Sequence, residues 1–207
     1  MSYTEIYVFG KDGNARLYAE ISNAWRGAMA IWTIMENRHL PPYIPAYIKD
    51  TWWYHDGIDA AELKRILKYQ PSRIMPSFSN KENPAKEIWD LAVNPAVPEH
   101  ERIVLYTTFN HPLVRREELT RVIEAFRKFE GETSLPDQAN VLEGLLECED
   151  CIAVGWNHTS VSADTWATIG GFNEETEESI PYNCLTMDKH YWIFDELNPP
   201  EKGRAEE

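Results

Sequence analysis

Positive charge is missing from one long stretch of this chain. Residues 129–188 span sixty positions without a single Lys or Arg, and they carry thirteen Asp or Glu. Because Lys and Arg make up about an eighth of an average chain, sixty consecutive positions without either are rare by chance. Apolar runs such as CIAVGW cross the stretch, so we expect its negative charge to be displayed on a folded scaffold rather than on a tail.

Other absences limit where the chain works. Three Cys are too few, and odd in number, for the disulfide framework of a secreted domain. The N-terminal MSYTEIYVFG lacks the basic and apolar regions of a signal peptide. No run approaches the roughly 18 apolar residues that a membrane span needs. We therefore expect a cytoplasmic protein with no membrane partner. The FGKDGN turn matches neither common glycine-rich phosphate motif, which disfavours a nucleotide enzyme.

The net charge of −14 is unevenly placed along the chain. Residues 1–100 hold 12 acids and 11 bases, a balance of −1, whereas residues 101–207 hold 22 acids and 9 bases, a balance of −13. A field of this sign repels phosphate backbones and attracts basic protein surfaces. The segregation predicts a basic protein partner and no direct contact with nucleic acid.

The hydrophobic pattern predicts a single α+β domain over residues 1–207. We expect a mixed β-sheet made of an N-terminal hairpin and three later strands, covered by four or five helices. The predicted strands are residues 4–10, 15–21, 102–109, 151–157 and 190–197. The predicted helices are residues 24–38, 59–70, 84–93, 113–131 and 136–148. A weak subdivision is possible near 94–101, where the charge balance changes, and 198–207 reads as a frayed acidic tail.

Aromatic residues are abundant, with eight Trp in the chain. In the first predicted helix, the apolar residues at helical spacing are predicted to be buried in the core: Trp25, Ala28, Met29, Trp32 and Met35. The run Trp52, Trp53, Tyr54 and His55 cannot all face inward from one helix or strand. It is either a loop packed over the core or an exposed stacking platform.

One alternative is a zinc-stapled module. Cys148 and Cys151 form a C-x-x-C pair, and His158 with Cys184 supplies two further soft ligands for a tetrahedral site. A single C-x-x-C without a second close pair is a weak zinc signal, and buried thiols explain the same residues. We therefore expect no cofactor.

A second alternative is a small hydrolase or transferase. His158, Ser160 and Asp164 lie close together in GWNHTSVSAD, and His111 follows a predicted strand. Arg16 or Arg26 would orient an anionic substrate. Because no nucleophile elbow or other motif supports a triad, we lean against an enzyme.

The leading interpretation is a binding protein whose carboxylates replace the phosphates of a nucleic acid in a basic groove. Aromatic residues near the acids would anchor the complex. The expected partner-binding residues are Glu147, Glu149, Asp150, Glu174, Glu175, Glu177, Glu178 and Trp166, with Trp156, Phe172 and Tyr182 as further aromatic anchors.

A compact, acidic, Trp-rich chain with a long cation-free stretch resembles the small inhibitors that bacteriophages and mobile elements make against host defence nucleases. These are the anti-CRISPR and anti-restriction proteins. The resemblance rests on residues 129–188, less than a third of the chain, and on composition rather than on a motif. It implies an inhibitor that engages a nucleic-acid-handling partner, and it assigns no functional residue.

Overall fold

A computed structural model of the chain describes residues 2–40, 84–161 and 166–199. The predicted helix at 59–70, the aromatic run at 52–55, Asp164 and most of the predicted tail lie outside these ranges. Six helices are described: α1 (Ala28–His39), α2 (Pro84–Val93), α3 (Glu99–Tyr106), α4 (Leu119–Lys128), α5 (Leu135–Glu143) and α6 (Ile193–Leu197). No helix within the described ranges is long and apolar enough to cross a membrane.

A five-stranded mixed sheet is the centre of the fold. Its strands are β1 (Tyr3–Gly10), β2 (Ala15–Ser22), β3 (Pro112–Arg115), β4 (Cys151–His158) and β7 (Tyr191–Trp192). The order is β2-β1-β4-β3-β7, antiparallel except for the parallel pair β3–β7. The α+β class, the mixed sheet and the N-terminal hairpin are therefore confirmed.

The sheet has two differently covered faces because side chains alternate along each strand. The helical face packs against the helices through residues such as Ile6, Val8, Val114, Val154 and Trp156. The opposite face carries Tyr7, Phe9, Leu113 and Ala153. It is covered by residues 166–190, which we call the cover segment and which contribute Trp166, Ala167, Tyr182 and Cys184.

The predicted strand at 102–109 is wrong, because most of this run belongs to helix α3. Ile103, Val104, Leu105 and Tyr106 are all at most 2% exposed. A short run that is apolar on every side fits a buried helix as well as a buried strand, so periodicity does not distinguish them. Glu99 and Glu101 in the first turn favour the helix, because their negative charges interact favourably with the partial positive charge at its N-terminus.

The chain just after α3 is also corrected. The predicted helix at 113–131 begins only at Leu119, because residues 112–115 form strand β3 and 116–118 form a short 3₁₀ turn. The strand belongs to the sheet because Leu113 and Val114 pair with Gly155 and Val154 of β4. Tertiary pairing thus overrides the local helical pattern.

Two further boundaries differ from prediction. The expected strand at 190–197 is a two-residue strand, β7, followed by helix α6. Ile193, Phe194 and Leu197 are buried at helical spacing, which explains the change. The first helix begins at Ala28 rather than near residue 24, because Ala24 and Trp25 have positive φ values.

Residues 94–98 connect α2 to α3, and residues 99–101 are the first turn of α3. Ile88 and Leu91 of α2 pack in the same hydrophobic cluster as Ile103 and Leu105 of α3. The hydroxyl of Tyr191 in β7 also donates to the carbonyl of Tyr106 at 2.6 Å, which ties the end of α3 to the sheet.

Candidate functional site

The cover segment carries an acidic hairpin at its surface. Its strands are β5 (Gly171–Asn173) and β6 (Glu178–Ile180), which pair antiparallel. The connecting turn is fixed by Asn173, whose side-chain oxygen accepts from the backbone N–H of Glu175 at 2.9 Å and of Thr176 at 3.3 Å. Gly171 begins the hairpin, and its turn lies at 174–177.

Four carboxylates crowd this turn: Glu174, Glu175, Glu177 and Glu178 are all exposed. None of them makes an ion pair with any residue that the structure describes. Lys189 lies at the base of the hairpin, and its ammonium group donates to the carbonyl of Gly170 at 3.2 Å rather than to a carboxylate. The tip therefore presents uncompensated negative charge to solvent.

Apolar side chains are exposed around the same hairpin. Phe172, in β5, is 60% exposed, and Ile180, in β6, is 40% exposed. Ile169 and Leu185, also in the cover segment, are 49% and 62% exposed. Exposed apolar groups that gather on one segment, next to charge, are typical of a protein contact surface.

Most of the predicted aromatic anchors are buried, so that part of the prediction is wrong. Trp166 is 3% exposed, Tyr182 1% and Trp156 0%. Trp166 stacks on Phe9 with ring centroids 6.0 Å apart and donates its indole N–H to the carbonyl of Trp156 at 3.2 Å. Trp166 and Tyr182 hold the cover segment on the sheet, and Phe172 is the anchor candidate left at the surface.

The second predicted acidic group lies before β4. Glu147, Glu149 and Asp150 are exposed, but Asp150 forms an ion pair with Arg16 at 2.5 Å. Two other acids of the cation-free stretch are also paired, Asp137 with Arg26 at 3.5 Å and Glu143 with Arg127 at 3.0 Å. Arginines from other parts of the chain therefore neutralise some of the acids in this stretch.

His158 is a buried structural group and not an open catalytic base. It lies at the end of β4, 2% exposed, and its Nδ1 is 3.0 Å from the hydroxyl of Thr4. That hydroxyl also contacts the side-chain oxygen of Asn23 at 2.8 Å. Burial lowers the pKa of His158 to about 4, with the nearby backbone of Thr107 acting weakly the other way. The imidazole is therefore neutral at neutral pH.

The other candidate catalytic residues do not join His158. Ser160 Oγ makes no hydrogen bond with any described residue. Asp164 lies outside the described residues. His111 packs on Trp166 of the cover segment, with ring centroids 5.1 Å apart. The structure thus shows no nucleophile and base in hydrogen-bond contact among the described candidates, and Arg16 and Arg26 are both engaged in ion pairs.

The four candidate zinc ligands are not brought together. Cys151 and His158 occupy opposite ends of the eight-residue strand β4, which separates them by about 23 Å. Cys184 packs on the far face of the sheet from the cluster that contains Cys151. Burial raises the pKa of the Cys151 thiol to about 11, which keeps it protonated. No group of three potential ligands converges among the residues that the structure places.

Comparison of the chain with protein-family models, with curated proteins and with solved structures finds no match. Sequence analysis identified the hairpin carboxylates and Phe172, but not the exposed side chains of Ile169, Ile180 and Leu185. No local pattern marks these three residues as exposed.

Proposed function

We propose that this protein binds a basic, nucleic-acid-handling protein through the β5–β6 hairpin and inhibits it by occupying the surface that holds nucleic acid. One observation carries the proposal: four exposed carboxylates, none of them in an ion pair with a described residue, stand on a turn that is fixed by Asn173. A fixed turn loses little conformational freedom on binding, which favours affinity.

Charge and apolar contact have separate roles in this proposal. Negative charge at the tip steers the protein toward a groove lined by Lys and Arg, and it raises the rate of association at low salt. Charge alone gives little net affinity once both groups lose their water. Phe172 and Ile180, next to the charged turn, supply apolar surface that is removed from water in the complex.

The class of partner follows from the chemistry of the turn. A groove that binds a phosphate backbone places cationic groups at short, regular intervals, and clustered carboxylates satisfy the same groups. The resemblance to inhibitors of host defence nucleases supports this choice. The three free cysteines fit a reducing compartment, in which such nucleases act.

The test is displacement of nucleic acid. We would measure, for a panel of DNA- and RNA-guided nucleases and restriction enzymes, how much of a fluorescent oligonucleotide is released as this protein is added. We expect at least one enzyme to release its oligonucleotide, and the E174Q/E175Q/E177Q/E178Q variant to lose that effect by about tenfold or more.

The matched control removes the same number of charges elsewhere. Glu20, Glu117, Glu124 and Glu132 are exposed and make no ion pair with described residues. The E20Q/E117Q/E124Q/E132Q variant should displace nucleic acid nearly as well as the unaltered protein. Equal losses in the two variants would mean that net charge, and not the hairpin, is responsible. Full activity in the hairpin variant would refute the proposal.

A further inference from the structure

A second surface feature lies away from the hairpin, in the turn between β2 and α1. Trp25 is 97% exposed, the most exposed large hydrophobic side chain among the described residues. Its φ is +71°, and that of Ala24 is +42°. Residues with side chains rarely adopt such angles, and two in succession, one of them a Trp, mark a backbone held in place by its surroundings.

The anchor of this turn is Asn23, which is fully buried. Its side chain contacts the hydroxyls of Thr4 at 2.8 Å and Ser134 at 3.2 Å. Its carbonyl accepts from the N–H of Arg26 at 2.7 Å, and the carbonyl of Arg26 accepts from the N–H of Ser134 at 2.8 Å. Hydrogen bonds on both sides of Trp25 therefore fix the turn to β1 and to the start of α5.

Glycine is required at the end of the turn. A Cβ on Gly27 would lie 2.5–2.6 Å from the Asn23 side chain. No real Cβ approaches other atoms so closely, so any larger residue would displace Asn23 or the turn. The sequence Asn-Ala-Trp-Arg-Gly thus forms a turn that is fixed at both ends and exposes the indole of Trp25 to solvent.

The indole stands beside a cavity of about 630 Å³. The described part of its lining consists of Ser2, Ala24, Trp25, Gly27, Met29 and Ser160. None of these side chains is charged, and most of the exposed lining is apolar. A cavity of this size and character matches those that hold small organic molecules.

One polar group of the lining lacks a partner. Ser160 Oγ is buried and makes no hydrogen bond with a described residue. The Ser160 hydroxyl belongs to a residue that lines the cavity, and it can rotate about χ1 without losing a hydrogen bond to a described residue. It then supplies the single orienting hydrogen bond that apolar ligand sites typically contain.

We infer that this cavity binds a planar aromatic small molecule. The ring of the ligand stacks on the exposed face of Trp25 and contacts the Met29 side chain, since thioether sulfur packs well against aromatic rings. A hydroxyl or ring nitrogen of the ligand meets Ser160 Oγ. The strained, anchored turn keeps the indole in position before the ligand arrives, which lowers the entropic loss on binding.

This inference is independent of the acidic hairpin. The cavity is formed by the β2–α1 turn, the start of the chain and the residues after β4. The hairpin belongs to the cover segment on the opposite face of the sheet from the helices. Loss of one site is therefore expected to leave the other intact.

The experiment uses the full chain labelled with 5-fluorotryptophan, with the Trp25 resonance assigned from the Trp25→Phe variant. 2-Naphthol, indole and quinoline are titrated into the protein to low millimolar concentration, with cyclohexanol as a non-aromatic control. We expect at least one aromatic probe, and not cyclohexanol, to shift the Trp25 resonance saturably. Trp25→Ala removes this resonance, so the affinity of the same probe for the variants and for the unaltered protein is compared by equilibrium dialysis. We expect Trp25→Ala to bind about tenfold more weakly, since stacking on an aromatic side chain has an effect of this size.

Two variants make the outcome decisive. Phe172→Ala removes another exposed aromatic and should not change the affinity. Ser160→Ala should weaken the binding of 2-naphthol severalfold, because the hydrogen bond to the naphthol hydroxyl is lost. The inference is overturned if no aromatic probe shifts the Trp25 resonance, if cyclohexanol shifts it equally, or if Trp25→Ala and Phe172→Ala bind alike.

Discussion

The two faces of the central sheet are covered in different ways. The helical face is closed by a continuous apolar cluster that draws on every helix from α1 to α6. The other face is closed by a single stretch, residues 166–190, in which regular structure is limited to a three-residue-per-strand hairpin. The helical face contains most of the hydrophobic core, and the cover segment on the other face carries the exposed hairpin carboxylates.

The attachments of the two layers differ accordingly. Burial of apolar helices stabilises the helical face over a large area. The cover segment depends on a few aromatic contacts and on polar ties, such as the Asn183 amide that donates to the carbonyl of Asp12 at 2.8 Å. A local attachment of this kind opens more readily than the core does. We therefore expect substitutions in the two layers to have different effects on the stability of the whole domain.

The largest expected effect comes from a matched pair of Trp substitutions. Trp156→Ala, on the helical face, should lower the free energy of unfolding of the whole domain by about 3–5 kcal/mol, because a fully buried indole is lost. Trp166→Ala makes the same change under the cover segment. For Trp166→Ala we expect faster amide exchange in residues 171–180 and a smaller decrease in the free energy of unfolding of the whole domain. Equal global losses by denaturant unfolding would contradict the distinction between the layers.

A pH effect should be the next largest, and it belongs to the helical face. The pKa of His158 is about 4 in the folded protein, below the ordinary value near 6.5, because of burial. The unfolded chain therefore takes up a proton first as the pH falls. Stability is full above about pH 6.5 and is lost progressively down to about pH 4, by roughly 3 kcal/mol at most.

The matched comparison for that prediction is His190 of the cover segment. Burial lowers its pKa as well, but the ring is only partly buried. In urea unfolding between pH 7 and pH 4, His158→Gln should flatten the pH dependence more than His190→Gln does. A larger change in slope for His190→Gln would reverse the comparison.

A smaller effect is expected at Tyr182, which lies within the cover segment. Its hydroxyl oxygen is 2.6 Å from the ring nitrogen Nδ1 of His190, and it accepts a hydrogen bond from the backbone N–H of His190 at 3.2 Å. Tyr182→Phe keeps the ring contacts with Phe9 and Trp166, so only the hydrogen bonds are lost. We expect a loss of about 1 kcal/mol in denaturant unfolding. The control is Tyr7→Phe on the same sheet face, which removes the hydrogen bond from the Tyr7 hydroxyl to the Glu5 carboxylate and leaves the cover segment unaltered.

The smallest expected change in stability concerns the hairpin itself. Glu174, Glu175, Glu177 and Glu178 make no ion pair with described residues, so their replacement by Gln removes only mutual repulsion. We expect the free energy of unfolding to rise slightly or to stay within about 0.5 kcal/mol of its original value. A large loss in a thermal melt would show that the carboxylates hold the fold together and are not available for a partner.

Much of the helical layer was predictable, because period and capping are local signals. Strands β1 and β2 alternate, β4 is a short apolar run, and α4 carries its apolar residues on one side. The run RIVLY was not predictable as helix or strand, since it is apolar all round. Strand β3 forms only because β4 offers a pairing edge, and no local pattern shows that.

The site was predictable in part, for a physical reason. Charge composition is visible in a sequence, so the exposed hairpin carboxylates were identified. Charge pairing is not, and Arg16 reaches Asp150 across 134 positions of sequence. Burial of Trp166 was missed because its segment has no periodicity. Exposure of Trp25 was missed because it lies at helical spacing from core residues but precedes the helix, which begins at Ala28.

The central claim is that the unpaired hairpin carboxylates meet a basic surface, and the salt dependence of binding tests it most directly. Affinity for an enzyme identified by oligonucleotide displacement would be measured over a range of salt for the unaltered protein and for the E174Q/E175Q/E177Q/E178Q variant. We predict that affinity falls steeply with salt for the unaltered protein and much less steeply for the variant. Identical salt slopes for the two proteins would contradict the account.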